Sequence, residues 1–476
     1  MKKQLKSYKN AGVVILGLLA LLAPHIIPIN GLHFAGEITL GIFGLAALFW
    51  LLEPIPVYAT SILVILLQVF LLSAQGILGE QLANLSDYEA LSYTTFYETF
   101  AHPIIILFMG GFALASASVK HGIDLQLTRL LLRPFGTRPA YVCLGLMLST
   151  AILSAFMSNT ATTAMMMTVV LPVVGQISTT DPYRKAVALS IPFAANIGGI
   201  ATPIGTPPNA IALAALKEQG VDITFSSWML LAIPIVLLML LISWRVLLLV
   251  FPPHTKKVAI TIESRSRPTL HTYIAYAVFG LTVFLWITEQ WHGISSTMIA
   301  FIPLAALPVL GVLNHMDIRG FSWEVLWLVA GGISIGMSLE QTGVANWIVG
   351  LVNWSHLGTL GLLALFGVVG LGLAMFISHT VSATILVPLA IGLTLGTAKN
   401  VNATDIAINM PVLVITVGII VSFAMVLPIS TPPNAIAMSS GLIQTRDMAR
   451  SGAIIAAIGF VATMLIATFY WPLFNL

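Results

Sequence analysis

The sequence predicts an all-α integral membrane protein, and three observations carry that prediction. The chain has 476 residues, 58% hydrophobic and only 8% charged, against about 25% charged in an ordinary soluble domain. Many apolar runs are long enough to cross a hydrocarbon core of about 30 Å, which takes roughly 20 helical residues. These runs are broken by Gly, Pro, Ser and Thr rather than by charge. We read about 11 transmembrane helices, with broken helices and re-entrant pieces between them.

The first element is the run from Val13 to Ile29, preceded by Lys2, Lys3, Lys6 and Lys9. Its length and the lack of a small-x-small cleavage site make it an uncleaved helix rather than a signal peptide. Residues 1–34 therefore form an N-terminal transmembrane helix. Further spans are read at Val57 to Leu72, Trp228 to Phe251, Tyr273 to Ile287 and Ile454 to Tyr470. Lys256, Lys257, Arg265 and Arg267 mark residues 253–270 as a basic cytoplasmic linker, because Lys and Arg in short loops stay inside. The N-terminus is expected in the cytoplasm of an inner (plasma) membrane protein and the C-terminus outside. A lone Cys143 excludes an internal disulfide and reads as a small buried apolar residue.

Residues 35–252 and 271–476 form a repeat. Trp50 to Pro54 (WLLEP) aligns with Trp286 to Gln290 (WITEQ), and Gly110-Gly111 with Gly331-Gly332. Ser158-Asn159-Thr160 aligns with Ser378-His379-Thr380, and GTPPNAIA at Gly205 with STPPNAIA at Ser430. Blocks recurring in register are a duplication. The first copy carries Arg129, Arg133, Arg138, Arg184 and Lys185, whereas the second has only Lys399 between about Ile348 and Asp405. Loops basic in one copy and bare in the other lie on opposite membrane faces, so the repeats are inverted.

Polar residues at membrane depth are tolerated only where they are buried in protein or line a wet cavity. The SNT and SHT stretches therefore read as helix breaks at one shared site, the usual place for a transporter's substrate. In each TPPN block the Thr is placed to cap a helix and the first Pro to open it, at Thr206-Pro207 and Thr431-Pro432. With the breaks at Ser158 and Ser378, four helix N-termini converge, which favours an anion. Arg245 is the only Lys or Arg deep in an apolar run. Glu53 and Glu289, repeat partners beside a helix end, read as capping or packing groups rather than as a proton relay. There is no G-x-x-x-x-G-K-[ST] loop and no H-E-x-x-H, so neither ATP-driven transport nor an enzyme is expected.

SNT and SHT, each followed by TPPN, with inverted repeats, Gly-Gly blocks and a WLLEPIP segment, resemble the divalent anion/sodium symporter family of di- and tricarboxylate carriers, from about Glu37 to the C-terminus. The resemblance implies a homodimer in the lipid bilayer, each protomer having a scaffold and a transport part that moves as an elevator. It places re-entrant hairpins near His102 to Lys120 and Phe321 to Gln341. It assigns substrate binding to Ser158, Asn159, Thr160, Thr206, Pro207, Ser378, His379, Thr380, Thr431 and Pro432. A sodium ion is implied at Ser154, Ser158, Asn159 and Gly205; no other metal, cofactor or nucleic acid is expected.

Across the repeat Ser154 becomes Ala374, Asn159 becomes His379 and Gly205 becomes Ser430. A hydroxyl and an amide oxygen are lost, and an imidazole suits a hard alkali ion less well. His379 is then either a protonated stand-in for the cation or a neutral hydrogen-bond donor. With one cation dispensed with, the reading favours a dicarboxylate exchanger (antiporter) similar to the 2-oxoglutarate/malate branch. The alternative is a sodium-coupled dicarboxylate or citrate symporter, and the remoter one an anion channel or sulfate carrier.

Overall fold

The computed structural model describes residues 2–26, 29–85, 88–259, 268–351, 357–400 and 409–474, and among these every regular element is helical. Arg265, Arg267 and Asp405 lie outside the described residues, as do the side chains of Lys2, Lys3, Lys6, Lys9 and Lys399. After α1 (Lys2–Ile26) come α2 (Phe34–Leu52), α3 (Val57–Leu71), α4 (Pro103–His121) and α5 (Ile123–Leu132). They are followed by α6 (Pro139–Phe156), α7 (Asn159–Gly175), α8 (Tyr183–Gly199), α9 (Pro207–Glu218) and α10 (Phe225–Val250). The same order then recurs as α11 (Leu270–Ile287), α12 (Phe301–Val309), α13 (Trp323–Gln341) and α14 (Val344–Gly350). It continues with α15 (Gly358–Phe376), α16 (His379–Asn400), α17 (Met410–Ile420), α18 (Pro432–Ser439) and α19 (Thr445–Phe469).

Packing between the copies is reciprocal. Helix α3 packs on α13 while its counterpart α12 packs on α4, and α9 contacts α16 and α17 while α18 contacts α7 and α8. Even the marker tryptophans agree: Trp50 donates its indole N–H to the Val57 carbonyl at 3.2 Å and Trp286 donates to that of Ser296 at 2.9 Å, both fully buried. Glu289 is a cap, its two carboxylate oxygens accepting the Phe225 and Ser296 amides at 2.9 Å each.

Seven described helices are long and apolar enough to cross a membrane, and six further apolar ones run 10–17 residues. The shorter ones include α7, α17 and the His379–Leu395 part of α16; α7 and α16 begin at the polar breaks.

The structure moves the hairpins. Residues 103–121 and 323–341 each form one unbroken helix of 19 residues, not a hairpin. The hairpins are α6–α7 and, by the repeat, α15–α16, with the SNT and SHT stretches at their tips. Both ends of the first reach the same segment: the Val258 amide donates to Thr137 before α6 at 2.9 Å, and Gln176 after α7 donates to Ala259 at 3.0 Å. The Gly-Gly pairs serve close helix crossing instead of a turn. A Cβ on Gly110 would lie 2.3 Å from the Ala300 carbonyl, and one on Gly331 would lie 2.5 Å from Cβ of Ser61. Small residues let membrane helices approach where no hydrophobic drive separates lipid from protein.

Asp181, in the loop between α7 and α8, fastens the start of the linker. Its carboxylate accepts the Thr255 hydroxyl at 2.6 Å and the amides of Thr255, Tyr183 and His254 at 2.8, 2.9 and 3.2 Å. Burial opposes ionisation, but these bonds more than offset it, with the Thr255 hydroxyl foremost, and hold the carboxyl below its ordinary range. A lowered folded value means that its stabilisation is complete above the ordinary carboxylate range and is lost as pH falls through the folded value. Asp181→Asn is therefore expected to lower stability by about 1–3 kcal/mol at neutral pH, with the gap to wild type closing in acid. Thermal unfolding in detergent across that pH range checks this.

Candidate functional site

Each hairpin leaves helical backbone at its tip, the first through extended residues. Met157 (φ −131°, ψ 163°) and Ser158 (φ −57°, ψ 128°) separate α6 from α7, and Ile377 (φ −112°, ψ −90°) ends α15. Peptide groups released this way need partners other than lipid. The loops α8–α9 and α17–α18 supply them. Thr202 donates its hydroxyl to the Ala155 carbonyl, and in the second copy Ser430 donates to the Met375 carbonyl at 2.7 Å.

Asn159 sits at the first tip, 8% exposed. Its amide lies against Oγ of Ser154 and the carbonyl oxygens of Gly205 at 3.0 Å and Ala195 at 3.3 Å. Ser154 also donates to Ala195 at 2.9 Å. An amide so placed is satisfied in two ways: its NH₂ donates to these oxygens, or its oxygen joins them around a hard cation. Ser154, Asn159 and Gly205, expected to hold sodium, are thus brought together, and Ala195 joins them by its backbone. Gly199 makes room, since a Cβ there would lie 2.6 Å from the Asn159 amide. Gly199→Ala is expected to weaken any cation bound here about tenfold, or roughly 1.4 kcal/mol, in a protein that still folds. Sodium titration of thermal stability tests it.

The second tip differs as the sequence anticipates. His379 occupies the place of Asn159, 5% exposed, near the Ser430 backbone and with Nδ1 unpartnered among the described residues. Ala374, fully buried, removes the hydroxyl that Ser154 supplies. The imidazole thus reaches the carbonyl-bearing loop that a cation would otherwise bridge.

Four helices begin here: α7 at Asn159, α16 at His379, α9 at Pro207 and α18 at Pro432. Thr431 caps α18 by accepting the Asn434 amide at 3.4 Å, whereas Thr206, expected to cap α9, makes no such bond. Ser158, Thr160, Pro207, Ser378 and Pro432 are open or partly open, while Thr206, Thr380 and Thr431 are buried. Unpartnered buried polar atoms gather on these elements: Thr162, Thr163, Thr206, Asn209 and His379 among the described residues. No Lys or Arg and no group of three or more metal-ligating acidic, His or Cys side chains lies among the described residues of the tips and loops. Sequence reading missed Asn196, whose Nδ2 donates to Thr431 Oγ1 and Asn434 Oδ1, both at 3.1 Å. Its only signal was a lone amide in an apolar helix.

A cavity of about 200 Å³ lies away from these tips, between the far parts of α9, α13 and α16. Gln219 and Glu340 line it and are hydrogen-bonded at 2.6 Å.

A multi-pass helical membrane protein with paired broken helices and a polar site between them is a membrane transporter, not an enzyme. The chain belongs to the family described as the sodium:sulfate symporter transmembrane region, whose model matches residues 4–476. It is 27% identical to the sodium-dependent dicarboxylate transporter SdcS of Staphylococcus saprophyticus, over 99% of this chain and 93% of that one. The inorganic phosphate transporter PHO87 of Saccharomyces cerevisiae is 29% identical over 83% of this chain and 42% of its own. The fold is also similar to the crystal structure of the Alcanivorax borkumensis YdaH transporter, with TM-score 0.54 and 14% identity, covering 87% of this chain and 98% of that one.

Proposed function

We propose that the chain is a sodium-coupled carrier of C4 and C5 dicarboxylates such as succinate, fumarate, malate and 2-oxoglutarate. The observation that carries this is the Asn159 amide enclosed by Ser154, Ala195 and Gly205, a set of oxygens suited to sodium, beside helix N-termini suited to carboxylates. Sodium at Ser154, Ser158, Asn159 and Gly205 screens the dianion held by Ser158, Asn159, Thr160, Thr206 and Pro207 and by Ser378, His379, Thr380, Thr431 and Pro432. The sequence alone favours exchange. The relatives named for sodium-dependent dicarboxylate transport support its alternative instead.

Exchange remains the second reading on one observation, the imidazole of His379 in place of a second cation-binding amide. In either mode the hairpins with α8, α9, α17 and α18 move as one transport part in a homodimer, with the N-terminus cytoplasmic and the C-terminus outside. Such movement has to break contacts like Gln219–Glu340 between α9 and α13.

Uptake of labelled succinate by cells expressing the chain, in sodium or choline medium, tests the reading. We expect uptake in sodium that unlabelled malate or fumarate suppresses. Suppression by sulfate or phosphate alone contradicts the dicarboxylate assignment.

A further inference from the structure

The two copies are unequal at one position that neither the site assignment nor the relatives explain. In the second copy Asn196 donates to both Thr431 Oγ1 and Asn434 Oδ1 at 3.1 Å. Asn196 is 2% exposed and belongs to the first copy, so the bond crosses the repeat. In the first copy the matching atoms are Thr206 Oγ1 and Asn209 Oδ1, and both are buried without a partner. By alignment through the TPPN blocks, the counterpart of Asn196 is Val421, fully buried and unable to donate. One loop is held by its neighbour and the other is not.

The residue before Asn196 is part of the proposed cation cradle. Ala195 offers its carbonyl to Ser154 at 2.9 Å and faces the Asn159 amide at 3.3 Å. An ion that fixes this carbonyl also fixes the following peptide, and with it the Asn196 side chain. Because Nδ2 donates to the Thr431 oxygen, the Thr431 hydroxyl proton remains free to point at a carboxylate. We infer that Asn196 is a positioning residue that couples the cation cradle of the first copy to the substrate loop of the second. Coupling of this kind is a difference in free energy between sites and needs a physical element that both of them bias. The short path from the Ala195 carbonyl through Asn196 to Thr431 is that element.

The inference rests on the cation reading above, and the experiment separates the two. Hydrogen–deuterium exchange is followed on the full chain in detergent, in sodium and in choline, at the backbone of residues 202–206 and 426–434. In wild type, sodium is expected to protect both loops. In Asn196→Val, which installs the residue found naturally at the matching position of the other copy, protection should persist at 202–206 and vanish at 426–434. The sodium-induced tightening of succinate binding should shrink about tenfold in the same variant. Asn196→Leu keeps a similar size and has no donor or charge, and it decides the matter if the valine variant does not fold. Equal protection of 426–434 in wild type and variant overturns the inference, as does a wild type in which sodium protects 202–206 alone. If sodium protects neither loop in wild type, the cation reading and the inference fall together.

Discussion

Asn159→Ala is expected to abolish sodium-driven succinate uptake while leaving a folded, monodisperse protein. The side chain is the one group at the first tip that faces three oxygens at once, and it also opens α7. Losing it removes a ligand from the cation and a polar partner from the substrate. Each charge-assisted contact is worth about 1.5–3 kcal/mol, so one lost contact costs about 10–100-fold in affinity and two cost more. Thr380→Ala, at the opposite tip, should reduce succinate affinity similarly but leave the sodium response of the protein alone intact. Calorimetric binding of succinate, and sodium titration of thermal stability, distinguish these outcomes. Wild-type succinate binding in both variants would remove the tips from the site.

His379→Asn is expected to steepen and strengthen the sodium dependence. It returns to the second tip the amide that Asn159 provides at the first, beside the carbonyl-bearing loop at Ser430. Because Ala374 still lacks the hydroxyl of Ser154, the new cradle is incomplete, and His379→Asn combined with Ala374→Ser should go further. We expect half-maximal transport at about tenfold lower sodium in the double variant, read from uptake across a sodium series. An unchanged sodium response in both variants would mean that the imidazole does not stand in for a cation.

The membrane class and the duplication were legible because they depend on composition and on blocks that repeat in order. The four helix N-termini were legible too, two because Thr-Pro-Pro marks a helix start by local chemistry and two because polar SNT and SHT break an apolar run. What the sequence concealed were relations across space. Gly110-Gly111 and Gly331-Gly332 mark the repeat in sequence, and only the packing of Gly110 on Ala300 and Gly331 on Ser61 shows them as crossing points between copies. The resemblance places the hairpins on these pairs, one helix pair before the α6–α7 tip where the chain turns back. Thr206 and Thr431 read alike in sequence, yet only Thr431 caps its helix and is held by Asn196. Nothing local distinguishes them, because the difference lies in Asn196, 235 residues before the Thr431 that it holds, where the aligned position of the other copy is Val421.

The central claim is sodium coupling at the Asn159 cradle, and uptake of radiolabelled succinate into proteoliposomes tests it most directly, with sodium varied outside and unlabelled malate present or absent inside. The account predicts uptake into empty vesicles that rises with external sodium and is lost in Asn159→Ala. Uptake that requires internal malate and ignores sodium would contradict it and establish the exchanger.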